Sequence, residues 1–243
     1  MNSPTTPSNR FDRLDALRAV AILWMAAFHF SFDLAHYRFT AQDFYNNPFW
    51  TVQRSCIVTL FVFCAGVGQA IAVEQRQSWR RMWRRWSQVA GCALLVSIGS
   101  WLMFRDRFIS FGVLHAIAVM LIIVRLSARG GVALWIAGAV AIALPHFVQH
   151  PFFDARLTNW VGLMTHKPAT EDYVPLLPWL GVMWWGMAAG LWVLEHRRGW
   201  LTGPLPKPLH PMAVLGRWSL SFYMLHQPVF IGLLMAILAL RGG

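Results

Sequence analysis

Four ionisable side chains within residues 13–34 have types and spacing that could perform chemistry. In RLDALRAVAILWMAAFHFSFDL these are Asp15, Arg18, His29 and Asp33. At about 100° per residue of an α-helix, all four fall on one face, within about 80° of one another. An ionisable group near the centre of a bilayer costs about 2.5–3.5 kcal/mol, so such groups are rare without a use. This face of the segment is therefore where we expect the functional site.

Two pairs along this face indicate two different tasks. His29 with Asp33 one turn later is the minimal arrangement of a general base, because a carboxylate fixes the tautomer and stabilises the imidazolium. A histidine that simply hydrogen-bonds a neighbouring helix is the alternative. Arg18 suits an anion, and Asp15 three residues earlier can pair with it and hold its orientation. About 16 Å along the helix axis separates Arg18 from His29.

Other polar side chains in apolar segments are secondary candidates. His115 in FISFGVLH reaches a depth similar to that of His29, so the two could converge on one cavity. Arg54 lies near one end of the second apolar segment, where we expect it to face the protein interior. His226 and Gln227 precede a proline in SFYMLHQP, and a structural role at freed backbone is as open as a catalytic one. No histidine pair has the spacing of a zinc or haem site, so no metal is expected.

The elements that position these residues must be membrane helices. The chain is 57% hydrophobic and 13% charged, with a mean hydropathy of +0.46, which predicts an all-α transmembrane helix bundle. The 21 Lys and Arg residues concentrate in alternate loops, and by the positive-inside rule this distribution places the N-terminus in the cytoplasm. The net charge of +11 therefore reflects topology and does not indicate nucleic-acid binding. We predict a disordered tail over residues 1–9, a membrane domain over 10–240, and about seven spans with six to eight as the range. The apolar segments cover residues 14–34, 51–73, 88–104, 108–126, 132–149, 174–194 and 217–240.

Five blocks of the sequence resemble one known family. They are residues 13–34 together with DFYNNPFWTVQRSCIVTLFVFCAGVGQA (43–70), FISFGVLHAIAV (108–119), YVPLLPWLGVMWWGMAAG (173–190) and LGRWSLSFYMLHQPVFIGLL (215–234). The chain is similar to bacterial membrane proteins related to heparan-α-glucosaminide N-acetyltransferase. Arg18 and His29 also resemble the R-x10-H pattern of related membrane acyltransferases. The chain has fewer spans than the lysosomal branch, which does not place its catalytic histidine identically.

The resemblance implies an acetyltransferase in the lipid bilayer, expected in a bacterial inner membrane. Acetyl-CoA would be the cytoplasmic donor substrate, and an amine or hydroxyl of an acceptor, with an envelope saccharide as the candidate, would accept the acetyl group on the far side. His29 would act as the base or as a transient acetyl carrier, and Arg18 would face the donor phosphates. The full expected set is His29, Asp33 and His115 for catalysis, Arg13, Asp15 and Arg18 for the donor, and Arg54, His226 and Gln227 as additional residues.

Two other function classes stay open at this stage. A proton-coupled transporter could use a relay through His29, Asp33, His115 and His226. Transporters usually show repeated halves and paired broken helices, and neither pattern is found in this sequence. A structural or regulatory membrane protein that has lost activity is the other possibility. Acetyl transfer by the purified protein separates both from an enzyme.

Overall fold

The computed structural model describes residues 11–103, 105–170 and 172–241, and over these residues the protein is all-α without strands. The predicted disordered tail lies outside this range. The described residues form nine α-helices and three short 3-10 helices, joined by loops. The α-helices are α1 (Asp12–His36), α2 (Pro48–Glu74), α3 (Trp79–Met103), α4 (Val113–Leu126), α5 (Ala133–Phe147), α6 (Trp179–His196), α7 (Gly199–Thr202), α8 (His210–Arg217) and α9 (Ser219–Arg241), and the 3-10 helices are Pro151–Asp154, Asn159–Val161 and Lys207–Leu209.

Four of the described helices, α1, α2, α3 and α9, are long and apolar enough to cross a membrane. These helices indicate an integral membrane protein. The helices α4 and α5 are also apolar but shorter, at 14 and 15 residues. The expected count of about seven spans and the cytoplasmic N-terminus remain predictions.

Three segments begin five or more residues from where they were predicted. The segment expected from residue 108 begins, as α4, only at Val113. The third span was expected over 88–104, but α3 already begins at Trp79, because the interfacial stretch WRRMWRRW continues the same helix. The span expected from residue 174 begins only at Trp179, because Pro175 and Pro178 interrupt the helical pattern before it, and Pro178 is the N-cap of α6.

The centre of the bundle is the tight pair α2 and α6. A Cβ added at Gly66 would collide with the carbonyl oxygen of Met183, and one added at Gly186 would collide with that of Phe63. Small residues thus allow the two backbones to touch, as in other membrane helix pairs. Met183 and Met187 are fully buried beside this contact.

Helix α1, which holds the candidate residues, packs against α2, α8 and α9. Its first half packs on α8, where Gly216 lies directly against the backbone of Asp15. Arg217 of α8 then pairs with Asp12 at 2.8 Å and approaches Asp15 at 3.9 Å. The second half of α1 packs on α9, and this contact places His29 opposite His226.

Candidate functional site

A cavity of about 530 Å³ lies at the end of the bundle where α1 terminates. Its walls are the second half of α1, the first part of α2, the last turns of α3 and the middle of α9, with parts of the 37–45 and 167–173 segments at the end. The remaining lining is largely apolar. Five residues singled out in the sequence line this one cavity, namely His29, Asp33, Arg54, His226 and Gln227.

The two cavity histidines are hydrogen-bonded to each other. Nδ1 of His29 lies 2.9 Å from Nε2 of His226, and the two rings are inclined by only 18°. Nδ1 of His226 lies 2.7 Å from the carbonyl oxygen of Tyr223. Because a carbonyl oxygen only accepts, His226 must carry its proton on Nδ1. In two neutral rings His29 then donates from Nδ1 to Nε2 of His226, and the lone pair of His29 lies on Nε2.

This arrangement differs from the predicted pairing of His29 with Asp33. The group that orients His29 is His226 from α9, and the backbone carbonyl of Tyr223 orients His226 in turn. A base held by a second group, itself held by a third, is the arrangement that activates nucleophiles and bases in many enzymes. The sequence left the role of His226 open because it lies 197 positions from His29.

Asp33 belongs to a second polar pair in the same cavity. Nε2 of Gln227 donates to both carboxylate oxygens of Asp33, at 2.8 and 3.0 Å. Asp33 is only 4% exposed, so this amide is what satisfies its buried charge. Oε1 of Gln227 is buried and has no hydrogen-bond partner among the described residues. An unsatisfied acceptor in a cavity wall is suited to an N–H or O–H donor of a bound molecule.

A charged cluster of Arg54, Lys167 and Asp172 lies on the end wall of the cavity. The carboxylate of Asp172 accepts the backbone N–H of Val113 at 3.0 Å, at the start of α4. Burial raises the pKa of Asp172, and the nearby cations Arg54 and Lys167 oppose this shift. Burial, with the charge of Arg54, lowers the pKa of Lys167. Sequence reasoning missed Lys167 and Asp172, since they lie in a loop without periodicity.

Arg18 lies at the other end of α1, outside the cavity. As predicted, it pairs with Asp15, at 2.8 Å between Nη1 and Oδ1. Nη2 of Arg18 lies against the Cα of Gly68, where a Cβ would be only 2.5 Å away. Arg85 on α3 interacts electrostatically with Arg18. Two cations thus contribute positive charge at this end of the bundle.

Arg13, the third expected donor contact, is bonded to backbone. Its guanidinium donates to the carbonyl oxygens of Trp200 at 3.3 Å and Pro204 at 3.1 Å. These bonds hold the α7 segment against the start of α1. The structure therefore gives Arg13 a structural contact, and a contact with the donor stays a prediction.

His115 does not line the cavity, and both of its ring nitrogens are engaged. Nδ1 accepts the backbone N–H of Gly112 at 3.2 Å, so Nε2 carries the proton and donates to Oγ of Ser97 at 3.0 Å. The hydroxyl of Ser97 donates its own hydrogen bond to the carbonyl oxygen of Ile109 at 2.6 Å. These bonds secure the first turn of α4 against α3. The expected convergence of His115 and His29 on one cavity is therefore not what the structure shows.

A packed layer separates Arg18 from the cavity. Ile22, one turn above Arg18 on α1, is fully buried, and the cavity lining on this helix begins only at Met25. About 10 Å of helix therefore lies between Arg18 and the nearest cavity residue of α1.

The comparison with protein families agrees with the resemblance found in the sequence. A family model described as heparan-alpha-glucosaminide N-acetyltransferase, catalytic, matches residues 10–228 of the 243-residue chain. No curated protein and no solved structure matches the chain. All candidate residues discussed above fall inside the matched range. The chain therefore belongs to the family of heparan-alpha-glucosaminide N-acetyltransferase catalytic domains.

Proposed function

We propose that the protein is a membrane acetyltransferase that moves an acetyl group from acetyl-CoA to an amine or hydroxyl of an acceptor bound in the cavity. The observation behind this proposal is the ring of His29, which is held by His226 and lines a cavity large enough for a substrate. The hydrogen bonds of the pair imply that Nε2 of His29 is the unprotonated nitrogen. Membership of the family supports transfer as the reaction class. The proposed setting is a bacterial inner membrane.

In the direct route, His29 acts as a general base. Its Nε2 takes the proton of the acceptor amine or hydroxyl while the acceptor attacks the thioester carbon. The bond from carbon to sulfur then breaks, and the proton passes from His29 to the departing CoA thiolate. His226 accepts the Nδ1–H of His29 throughout and stabilises the imidazolium that forms. The acceptor gains an acetyl group, and CoA leaves as the thiol.

A second route uses His29 as the nucleophile. Nε2 would attack the thioester carbon, the carbon–sulfur bond would break, and CoA would leave as the thiolate, so that His29 carries the acetyl group as an N-acetylimidazolium. The acceptor would then attack the acetyl carbon, the bond to Nε2 would break, and the acceptor proton would be released to solvent. The same tautomer supports both routes. Mass measurement of the intact protein, mixed with acetyl-CoA in the absence of acceptor, separates them, since only the second route adds an acetyl group to His29.

The acceptor would be held by Asp33 and Gln227. Oε1 of Gln227 accepts one N–H or O–H, and Asp33 keeps the amide of Gln227 turned so that this oxygen stays available. We therefore assign both as positioning residues. His115 secures the first turn of α4 and acts only through the fold.

The donor would approach from the end of the bundle that contains Arg18. Arg18 and Arg85 provide positive charge for the CoA phosphates, with Arg18 oriented by Asp15. A pantetheine arm must then span about 16 Å to reach His29. Since Ile22 fills this path, donor binding requires the packed layer around Ile22 to open.

The central test is acetyl transfer by purified protein in proteoliposomes. We expect CoA thiol release with wild type, and loss of about 10²–10⁴-fold with His29→Ala. His196→Ala is the matched control, since His196 is exposed at the end of α6 and should change nothing. A folded His29→Ala variant that transfers acetyl at the wild-type rate would overturn the assignment of His29.

Donor binding is tested separately. Arg18→Gln should weaken acetyl-CoA binding measured by calorimetry, whereas Arg197→Gln, an exposed arginine after α6, should leave it unchanged. Equal affinities of all three proteins would remove Arg18 from the donor site.

A further inference from the structure

The cavity has an opening in the side of the bundle, between α3 and α9. Several residues line the cavity and are also exposed on the surface of these helices. Leu95 of α3 is 60% exposed and Met235 of α9 is 56% exposed. Gly99, Gly232 and Pro228 are likewise both exposed and part of the lining. A residue with both properties marks a place where the cavity meets the outside.

Two glycines keep this opening free of side chains. A Cβ built at Gly99 or at Gly232 would have no atom of a neighbouring element within 4 Å, so neither glycine is required by close packing. The helices α3 and α9 barely touch each other. Beside the opening, Ile98 and Leu102 of α3 are 55% and 71% exposed.

The surroundings of the opening are expected to be lipid. Both helices are candidate membrane spans, and Gly99 lies four residues before the end of α3, about 6 Å along its axis. Gly232 lies six residues beyond His226, about 9 Å further toward the same end. Gly232 itself lies nine residues before the end of α9, about 14 Å along its axis, so the opening extends from near the helix ends into the apolar part of the spans, with His226 deeper in the cavity.

The end wall of the cavity is built differently. Phe44 is 4% exposed and stacks on Trp50 with 4.1 Å between ring centroids. Oγ1 of Thr170 donates to the carbonyl of Phe108 at 3.0 Å, and Asp172 holds the start of α4. Tyr45, at 53% exposed, and Lys167 also line the cavity and reach the surface, so the cavity has a second, polar opening at this end. Two pinned segments frame that polar opening, whereas the side opening is lined by glycine and lies between two candidate membrane spans.

We infer that the acceptor is carried on a membrane lipid, which enters the cavity from the bilayer between α3 and α9. The inference rests on the proposed acetyl transfer. The amine or hydroxyl of the headgroup lies at His29 and Gln227, and the apolar chain extends through the gap beside Gly99 and Gly232. Arg54 and Lys167, on the end wall, are placed for a phosphate or other anionic group of the same headgroup.

Lipid access is tested with a diazirine-bearing phospholipid in proteoliposomes. After illumination, mass spectrometry should find label on cavity residues such as Phe28 and Met224, as well as on the outer face of α3. Gly99→Trp and Gly232→Trp should each lower cavity labelling at least fivefold while labelling of the outer face persists. Gly91→Trp is the matched control, because Gly91 also has open space on α3 but does not line the cavity.

The acceptor class is tested with glucosamine and its hexadecyl glycoside as paired probes. We expect the hexadecyl form to be acetylated faster, and the ratio of the two rates to fall at least tenfold in Gly232→Trp but to stay constant in Gly91→Trp. The inference is overturned if the wild-type protein is labelled only on the outer face of α3. It is also overturned if the ratio of the two acetylation rates is the same in wild type and in Gly232→Trp. Cavity labelling without transfer to either probe would instead reject acetyl transfer to such acceptors and leave lipid access standing.

Discussion

Nη2 of Arg18 lies against the Cα of Gly68, so that α2 supports the guanidinium from behind while Asp15 holds it from the side. A methyl group at Gly68 would meet only this flexible side chain. Gly68→Ala should therefore displace Arg18 without disturbing the helix packing. We expect acetyl-CoA binding to weaken about tenfold, comparable to the loss of one charge-assisted hydrogen bond, as measured by calorimetry.

The control for Gly68→Ala is Gly66→Ala, half a turn earlier on the same helix. Its methyl group would collide with the backbone of Met183, which cannot move without separating α2 from α6. Gly66→Ala should lower the melting temperature, whereas Gly68→Ala should leave it nearly unchanged. A Gly68→Ala protein with wild-type affinity would show that this contact does not orient Arg18 for the donor.

The second prediction concerns the partner of His29. His226→Phe keeps the size of the ring and removes the acceptor of the Nδ1–H of His29. We expect acetyl transfer to fall by about 10- to 100-fold, less than the 10²–10⁴-fold loss typical of removing a general base. Steady-state rates across pH should show the loss in kcat with little change in KM for the donor.

His226→Gln provides the test of specificity for this role, because its Oε1 could accept the same proton. Partial rescue by glutamine is expected if His226 acts by orienting His29. If His226→Phe and His226→Gln transfer acetyl at equal rates, His226 contributes only its volume to the packing.

The third prediction separates the roles of Asp33 and Gln227. Gln227→Met removes the unsatisfied Oε1 and also leaves the carboxylate of Asp33 without its amide donor. The free energy of unfolding should fall by about 1–3 kcal/mol, the cost of leaving a buried polar group unpaired. In the double variant with Asp33→Leu the unpaired carboxylate is gone, so stability should recover while KM for the acceptor stays high. An acceptor KM equal to that of wild type would exclude Gln227 from acceptor binding.

The fourth prediction concerns His115. Its Nδ1 accepts the N–H of Gly112, as a side chain does in a capping box at the start of a helix. His115→Ala should lower the free energy of unfolding by about 0.5–2 kcal/mol, the usual cost of losing a cap. The rate of transfer per folded molecule should stay at the wild-type value, and His115→Gln should restore stability. A folded His115→Ala protein without activity would instead place His115 in the catalytic machinery.

The sequence predicted the polar face of α1 well, because helical periodicity alone places Asp15, Arg18, His29 and Asp33 together. It also predicted the pairing of Arg18 with Asp15, which depends on a spacing of three residues. The partner of His29 could not be predicted, since hydrogen-bond partners on different helices depend on packing.

The positions of loop residues and the ends of helices were also not predicted from the sequence. Lys167 and Asp172 enter the cavity wall only through the path of the 167–173 segment, for which no periodic pattern exists. The arginine-rich start of α3 resembled a separate interfacial stretch, yet it continues the helix because it contains no breaker residue. The early part of the sixth apolar segment is as apolar as a span, but its two prolines delay the start of the helix to Trp179.

The fully buried layer around Ile22, Val62 and Met187 also has a consequence for the membrane itself. Where the cavity ends at this packed apolar layer, water finds no space among these side chains. The layer thus opposes the passage of protons and ions beside α1 in this state. An acetyl group can cross such a barrier only attached to a carrier that displaces the layer and then lets it close.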